Sequence, residues 1–138
     1  MGDTRTISRR SGLATVELAI LLPVLLTLTF GMIEYGWLFL KAQEVTNAAR
    51  EGARAAIIPS ATNTTVQAAV GNLMTSAGLG GSGYSVTLSP TDVSSVQPGS
   101  QVSVTIVVPG AGISPVSIPL IPMPGSISAA AAMTKEGS

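Results

Sequence analysis

The chain contains no cysteine and no histidine among its 138 residues. That removes thiol nucleophiles, disulfides and the commonest zinc-binding and proton-transfer side chains. An exported domain of this kind has no covalent staple and must hold itself by packing. Charge is scarce as well: 10% of residues are Asp, Glu, Lys or Arg, against about a quarter in an ordinary soluble domain. Seven basic residues balance seven acidic ones, leaving no net field to draw in nucleic acid or an acidic ligand. Aromatics, at 4%, are too few for a base-stacking surface. Neither nucleic acid, a small-molecule substrate, a cofactor nor a metal is expected.

What the chain has in quantity is apolar length near its N-terminus. Residues 1–12 (MGDTRTISRRSG) are polar and basic and read as a short disordered leader. From Leu13 to Ile33 the sequence is apolar except for Glu17. As a helix this run is about 31 Å long, the thickness of a bilayer's hydrocarbon core. Glu34 closes it, and Tyr35 and Trp37 follow, as suits a membrane-water interface. KAQEVTNAAREGARAAI then continues the helix, with Glu51 and Arg54 at ion-pair spacing. The expectation is one long helix over 13–58 whose first half, about 13–36, spans a membrane. Pro23 removes a backbone bond within that half and predicts a kink.

Beyond Pro59 the patterning changes. TTVQAAVGNLMTSA carries Val66, Ala69, Val70 and Leu73 at helical spacing, with Thr64 or Asn63 as N-cap. YSVTLS and QVSVTIVV alternate apolar with hydroxyl residues, as half-buried strands do. Five prolines between Pro109 and Pro124 exclude a central strand and imply an extended loop across the sheet. SISAAAAMTKE reads as a last strand, though its alanines also suit a helix. The fold class expected is α+β: a long N-terminal transmembrane helix, then a small αβββ head over 59–138 with an antiparallel sheet.

Several readings of the N-terminus compete. A cleaved signal peptide needs a small-residue site after the apolar run, and EYGWLFLKAQ offers none. The same lack disfavours a twin-arginine signal despite Ser8-Arg9-Arg10. An uncleaved signal anchor accounts for everything but Glu17. A carboxylate near the centre of a span costs roughly 2.5–3.5 kcal/mol, less near its end, and Arg10 is the nearest cation in sequence. Cleavage between Gly12 and Leu13 supplies a purpose. It creates an ammonium at Leu13, which in an offset bundle of helices could meet Glu17 of a neighbour and enforce register.

These residues resemble a known family. Gly12 followed by LATVE and an apolar helix with Pro23 resembles the type IV prepilin signal. SGLATVELAILLPVLLTLTFGMIEYGWLF with NAAREGARAA resembles the TadE-like minor pilins, or pseudopilins, of tight-adherence (Flp) pilus systems. The resemblance covers about residues 9–58. It implies that Gly12 and Leu13 flank a bond cut by a prepilin peptidase and that Glu17 is the assembly carboxylate. It further implies a cytoplasmic leader, a single pass through the bacterial inner membrane, and an extracytoplasmic head. Its partners would be other pilin-like subunits and pilus assembly proteins. Leu18 stands where Flp major pilins carry tyrosine, and the chain is longer than those pilins; both departures favour an accessory role. The alternative is an uncleaved envelope protein scaffolding an assembly or secretion complex.

Within the same resemblance Glu34, in GMIEYG, is a secondary assembly candidate. Arg50, Glu51 and Arg54 read equally as a docking patch or a solvated helix face. Gly78, Gly80 and Gly83 fit G-x-G-x-x-G, but a helix precedes them and a strand follows, the reverse of a dinucleotide site. Asn63-Thr64-Thr65 is a formal glycosylation sequon, better read as a helix start. Asp92, Glu51 and Glu136 are too scattered in sequence to suggest catalysis.

Overall fold

The computed structural model describes residues 8–113 and 122–137. Helix α1 (Ser8–Ile57) is unbroken for 50 residues. It is followed by α2 (Asn63–Ser76), β1 (Ser85–Ser89), a 3-10 turn at Val93–Ser95, β2 (Gln101–Pro109), a second 3-10 turn at Gly110–Gly112, and β3 (Ser126–Thr134). The strands form one antiparallel sheet in the order β1-β2-β3. The chain is therefore α+β, as its patterning implied. Contacts divide it into two compact units, residues 1–35 and residues 36–138.

In the first unit α1 starts at Ser8, not Leu13, so part of the expected disordered leader is helical. Pro23 lies inside α1 without ending it. Nearby, the hydroxyls of Thr27 and Thr29 donate to the carbonyls of Pro23 and Leu25, each at 2.8 Å. Such back-bonding satisfies a hydroxyl that lipid could not. Leucine, isoleucine and valine side chains from Leu13 to Leu28 are exposed all around the helix. Among the described residues, this is the one helix long and apolar enough to cross a membrane.

In the second unit the remainder of α1 becomes one-sided. Lys41, Val45, Ala48, Ala49, Ala53 and Ala56 are buried, and their spacing of three and four places them on one face. These residues are small, so the helix comes close to its neighbours. A Cβ at Gly52 would lie 2.7 Å from Val70 Cγ2 of α2 and 3.2 Å from Val104 Cγ1 of β2. Val66, Val70 and Met74 supply the buried side of α2. Val102, Val104, Ile106 and Val108 supply that of β2. Both helices thus share the sheet's inner face.

Several boundaries differ from expectation for identifiable reasons. The N-cap of α2 is Thr62, not Asn63 or Thr64; Thr62 and Thr65 form a reciprocal capping box. Asn63 instead uses its amide to tie down a loop, donating to Thr91 O (2.7 Å) and accepting from Val93 N (3.0 Å). The alanines of SISAAAAMT form a strand because β2 offers a full nine-residue register from Ser126 to Thr134. Pro109 ends β2, and Gly110 N bonds Gly125 O at 2.8 Å, bringing the two ends of the proline-rich loop together. The stretch 114–121 of that loop, with Pro115 and Pro119, lies outside the described residues.

Candidate functional site

The processing and assembly candidates sit on the apolar half of α1. Gly12 has nothing within 4 Å of where a Cβ would stand. Leu13 is 75% exposed, and Glu17 is exposed one turn further on. The helix therefore presents a carboxylate four residues after Leu13 on a surface that is otherwise uncharged and mostly apolar. In lipid this group calls for a compensating charge from another molecule or from a headgroup. Because α1 begins at Ser8, the Gly12–Leu13 bond lies within the helix. A peptidase would need to unwind it locally, and glycine weakens a helix by about 1 kcal/mol relative to alanine.

Glu34 behaves differently from Glu17: it is 1% exposed. Arg50, Glu51 and Arg54 lie on the outer side of α1, all exposed. Glu51 and Arg54 form no ion pair with each other; Lys41 and Glu44 do, at 2.8 Å. Arg50, Glu51 and Arg54 line an open groove with Asn47, Leu73 of α2 and Met133 of β3. The structure thus brings these three together while Gly12, Leu13 and Glu17 lie in the other unit. Gly78 and Gly83 adopt φ near +70° in the turn between α2 and β1. No cluster of three metal-ligating residues occurs among the described residues.

Two lysines matter that patterning alone did not single out. Lys41, 7% exposed, lies 4.7 Å from the centre of the Trp37 ring, pairs with Glu44 and donates to Ala77 O at the end of α2. Trp37 in turn donates to Ile113 O at 2.9 Å. Lys135, 5% exposed, donates to Ala56 O (3.2 Å) and Val93 O (3.0 Å). Glu136 N bonds Ile57 O at 3.0 Å. Together they cap the C-terminus of α1, where carbonyls lack helical partners and the helix dipole favours a cation. The signal in the sequence was isolation: Lys135 is the first charge after Asp92. Asp92 itself caps the 3-10 turn. Bonds from the Ser94 hydroxyl and then the Ser94 N–H hold its carboxyl below the usual range.

Residues 12–54 match the family model described as TadE-like protein. The long helix is TadE-like. The match opens at Gly12 and closes at Arg54, so it takes in every processing and assembly candidate and leaves the head outside it. No curated protein and no solved structure matches the chain. The TadE-like segment supports a minor-pilin-like role in association with a Tad pilus, as a structural component linked to pilus assembly proteins. With its single N-terminal apolar helix, the chain has the make-up of a single-pass, membrane-anchored protein.

Proposed function

We propose that this TadE-like chain is a pseudopilin, or minor pilin, processed between Gly12 and Leu13 by a prepilin peptidase and then used structurally in pilus biogenesis. Residues 1–12 form the leader in the cytoplasm, 13–58 the helix with its spanning half, and 59–138 the head outside the inner membrane. The observation that carries this reading is the exposed carboxylate of Glu17, four residues after Leu13, on the apolar half of a TadE-like helix. Cleavage would give Leu13 an ammonium, and a neighbouring subunit's ammonium would neutralise Glu17 during assembly. Burying either charge alone is strongly unfavourable, so the pair would select one axial offset between helices. Adhesion and surface colonisation are the processes such a pilus serves.

The competing reading, an uncleaved anchor scaffolding an assembly or secretion complex, draws on the position of the Gly12–Leu13 bond inside α1. Intact mass and N-terminal sequencing of the membrane-extracted protein, with and without the peptidase, separate the two. A chain beginning at Leu13 only when the peptidase is present is the expected result. A full-length chain in both samples would leave the anchor reading standing. Glu17→Gln should still be inserted and cleaved yet yield no assembled pili, read by immunoblot of sheared surface fractions. Normal pilus output from that variant would end the role assigned to the carboxylate.

A further inference from the structure

Within the second unit the exposed side of α1 changes chemistry part-way along. Gly36, Leu40, Gln43, Asn47, Arg50 and Arg54 are all exposed, and their spacing of three and four makes them one stripe. The stripe is apolar as far as Leu40, with Phe39 alongside, and polar from Gln43 onward. Phe39 is 67% exposed and Leu40 48%. Single leucines on a surface are ordinary. This pair instead extends the apolar run that the sequence had appeared to close at Glu34.

The charges that precede the change are withdrawn from the surface. Glu34 and Lys41 are buried, and they are the charged residues of α1 between Leu18 and Gln43. Among the described residues, α1 therefore exposes no charge over that stretch. Lys41 Nζ bonds Glu44 and Ala77 O and faces the Trp37 ring, and Glu34 is not without a partner either. The Trp37 N–H, a donor that must be satisfied away from water, reaches Ile113 O. The surface around Trp37, Phe39 and Leu40 is thus fit for lipid.

The same boundary fixes the other end of the span. A hydrocarbon core about 30 Å thick holds about 20 helical residues, or about 21 at a tilt of about 20°. Counted back along α1 from Leu40, it ends at about Leu21. Glu17 then stands four residues further, about 6 Å outside the hydrocarbon, where water can hydrate it. A span over residues 13–36 does worse at both ends, holding Glu17 in hydrocarbon and leaving Phe39 and Leu40 in water. We infer that the bilayer holds α1 over about residues 21–40: acyl chains cover Phe39 and Leu40, and Glu17 lies among the headgroups of the opposite surface. Ile113 and the end of α2 at Ala77, bonded to Trp37 and Lys41, then lie at the head-side boundary. This placement rests on the membrane-anchored reading and needs neither cleavage nor pilus assembly.

Because the chain has no cysteine, each single-cysteine variant of the full chain reports one position. Val16, Leu25, Leu40 and Gln43 are exposed and serve as the four sites. Labelling by a charged maleimide is timed with one copy per lipid nanodisc, where both membrane faces are open. Val16→Cys and Gln43→Cys should react at least tenfold faster than Leu25→Cys and Leu40→Cys. Fast reaction at Leu40→Cys, or slow reaction at Gln43→Cys, would overturn the placement. If Leu40→Cys slowed only in discs holding several copies, that face would belong to a second chain instead. Slow reaction at Val16→Cys would put Glu17 inside the hydrocarbon and overturn the placement as well. Fast reaction at Leu25→Cys would show that α1 does not span, which sinks the membrane-anchored reading itself.

Discussion

At the residue scale the head depends on a few side chains with no spare room or spare partners. Gly52→Ala gains helix propensity worth up to about 1 kcal/mol, yet its Cβ would meet Val70 Cγ2 at 2.7 Å. Valine is stiff at χ1 and cannot swing aside, so overpacking should win, with a net loss of about 1–2 kcal/mol. A melting temperature lowered by several degrees in detergent-solubilised full chain is the expected reading. Lys135→Met removes both donors from Ala56 O and Val93 O and leaves buried carbonyls unsatisfied, a loss of about 2–3 kcal/mol. Denaturant unfolding monitored by Trp37 fluorescence measures it.

Asp92 gives a signed pH dependence. Its folded carboxyl is held low by Ser94, so the stabilisation is present above the ordinary aspartate value and lost as pH falls through the folded one. Below about pH 4 the wild type should therefore lose stability relative to Asp92→Asn, whose amide keeps the cap without titrating. Equal acid sensitivity of the two proteins would contradict the assignment.

At the scale of elements, the sequence carried α1, α2, β1 and β2 because the long apolar run, the helical spacing of 66–73 and the strand alternation announce them. The helical spacing in 66–73 and the alternation in 101–108 survive with small shifts of boundary. What escaped was whatever depends on distant partners. Thr62 became the cap of α2 because Thr65 could reciprocate, and Asn63 was recruited by residues 91–93; neither is a local choice. The alanines of β3 are neutral between helix and strand until β2 supplies a register. Glu51 and Arg54 had ion-pair spacing, yet exposed pairs gain too little to fix two long side chains. Conversely, Glu17 stands out in the sequence because a carboxylate in an apolar run is costly anywhere, whereas Gly12 and Leu13 enter only with the cleavage proposed here. Thr62→Ala should cost about 1 kcal/mol through loss of the capping box, seen as faster amide exchange in the first turn of α2.

For the whole molecule, the two units should respond to different solvents. Among the described residues of the apolar half of α1, Glu34 alone is buried, and the backbone bonds there are satisfied within the helix, as lipid requires. The second unit relies on a hydrophobic core of mostly alanine and valine. On heating in nanodiscs, the fluorescence of Trp37 and the sheet signal should change together in one step. Helical dichroism corresponding to the spanning segment should persist above that step. Loss of all helicity in a single transition would show that the spanning segment depends on the head.

The closure of α1 by Lys135 has a consequence measured in time. Ala56 and the lysine that caps it are 79 residues apart, and synthesis at about 5–20 residues per second takes roughly 4–16 s to cover that distance. Throughout that interval the helix can already be lodged in the bilayer while its final turn lacks its lid and the inner face of the sheet is incomplete. Each newly made copy thus passes through a seconds-long stage in which it is tethered but unfinished. Proteases and folding factors at the membrane surface have their opportunity then.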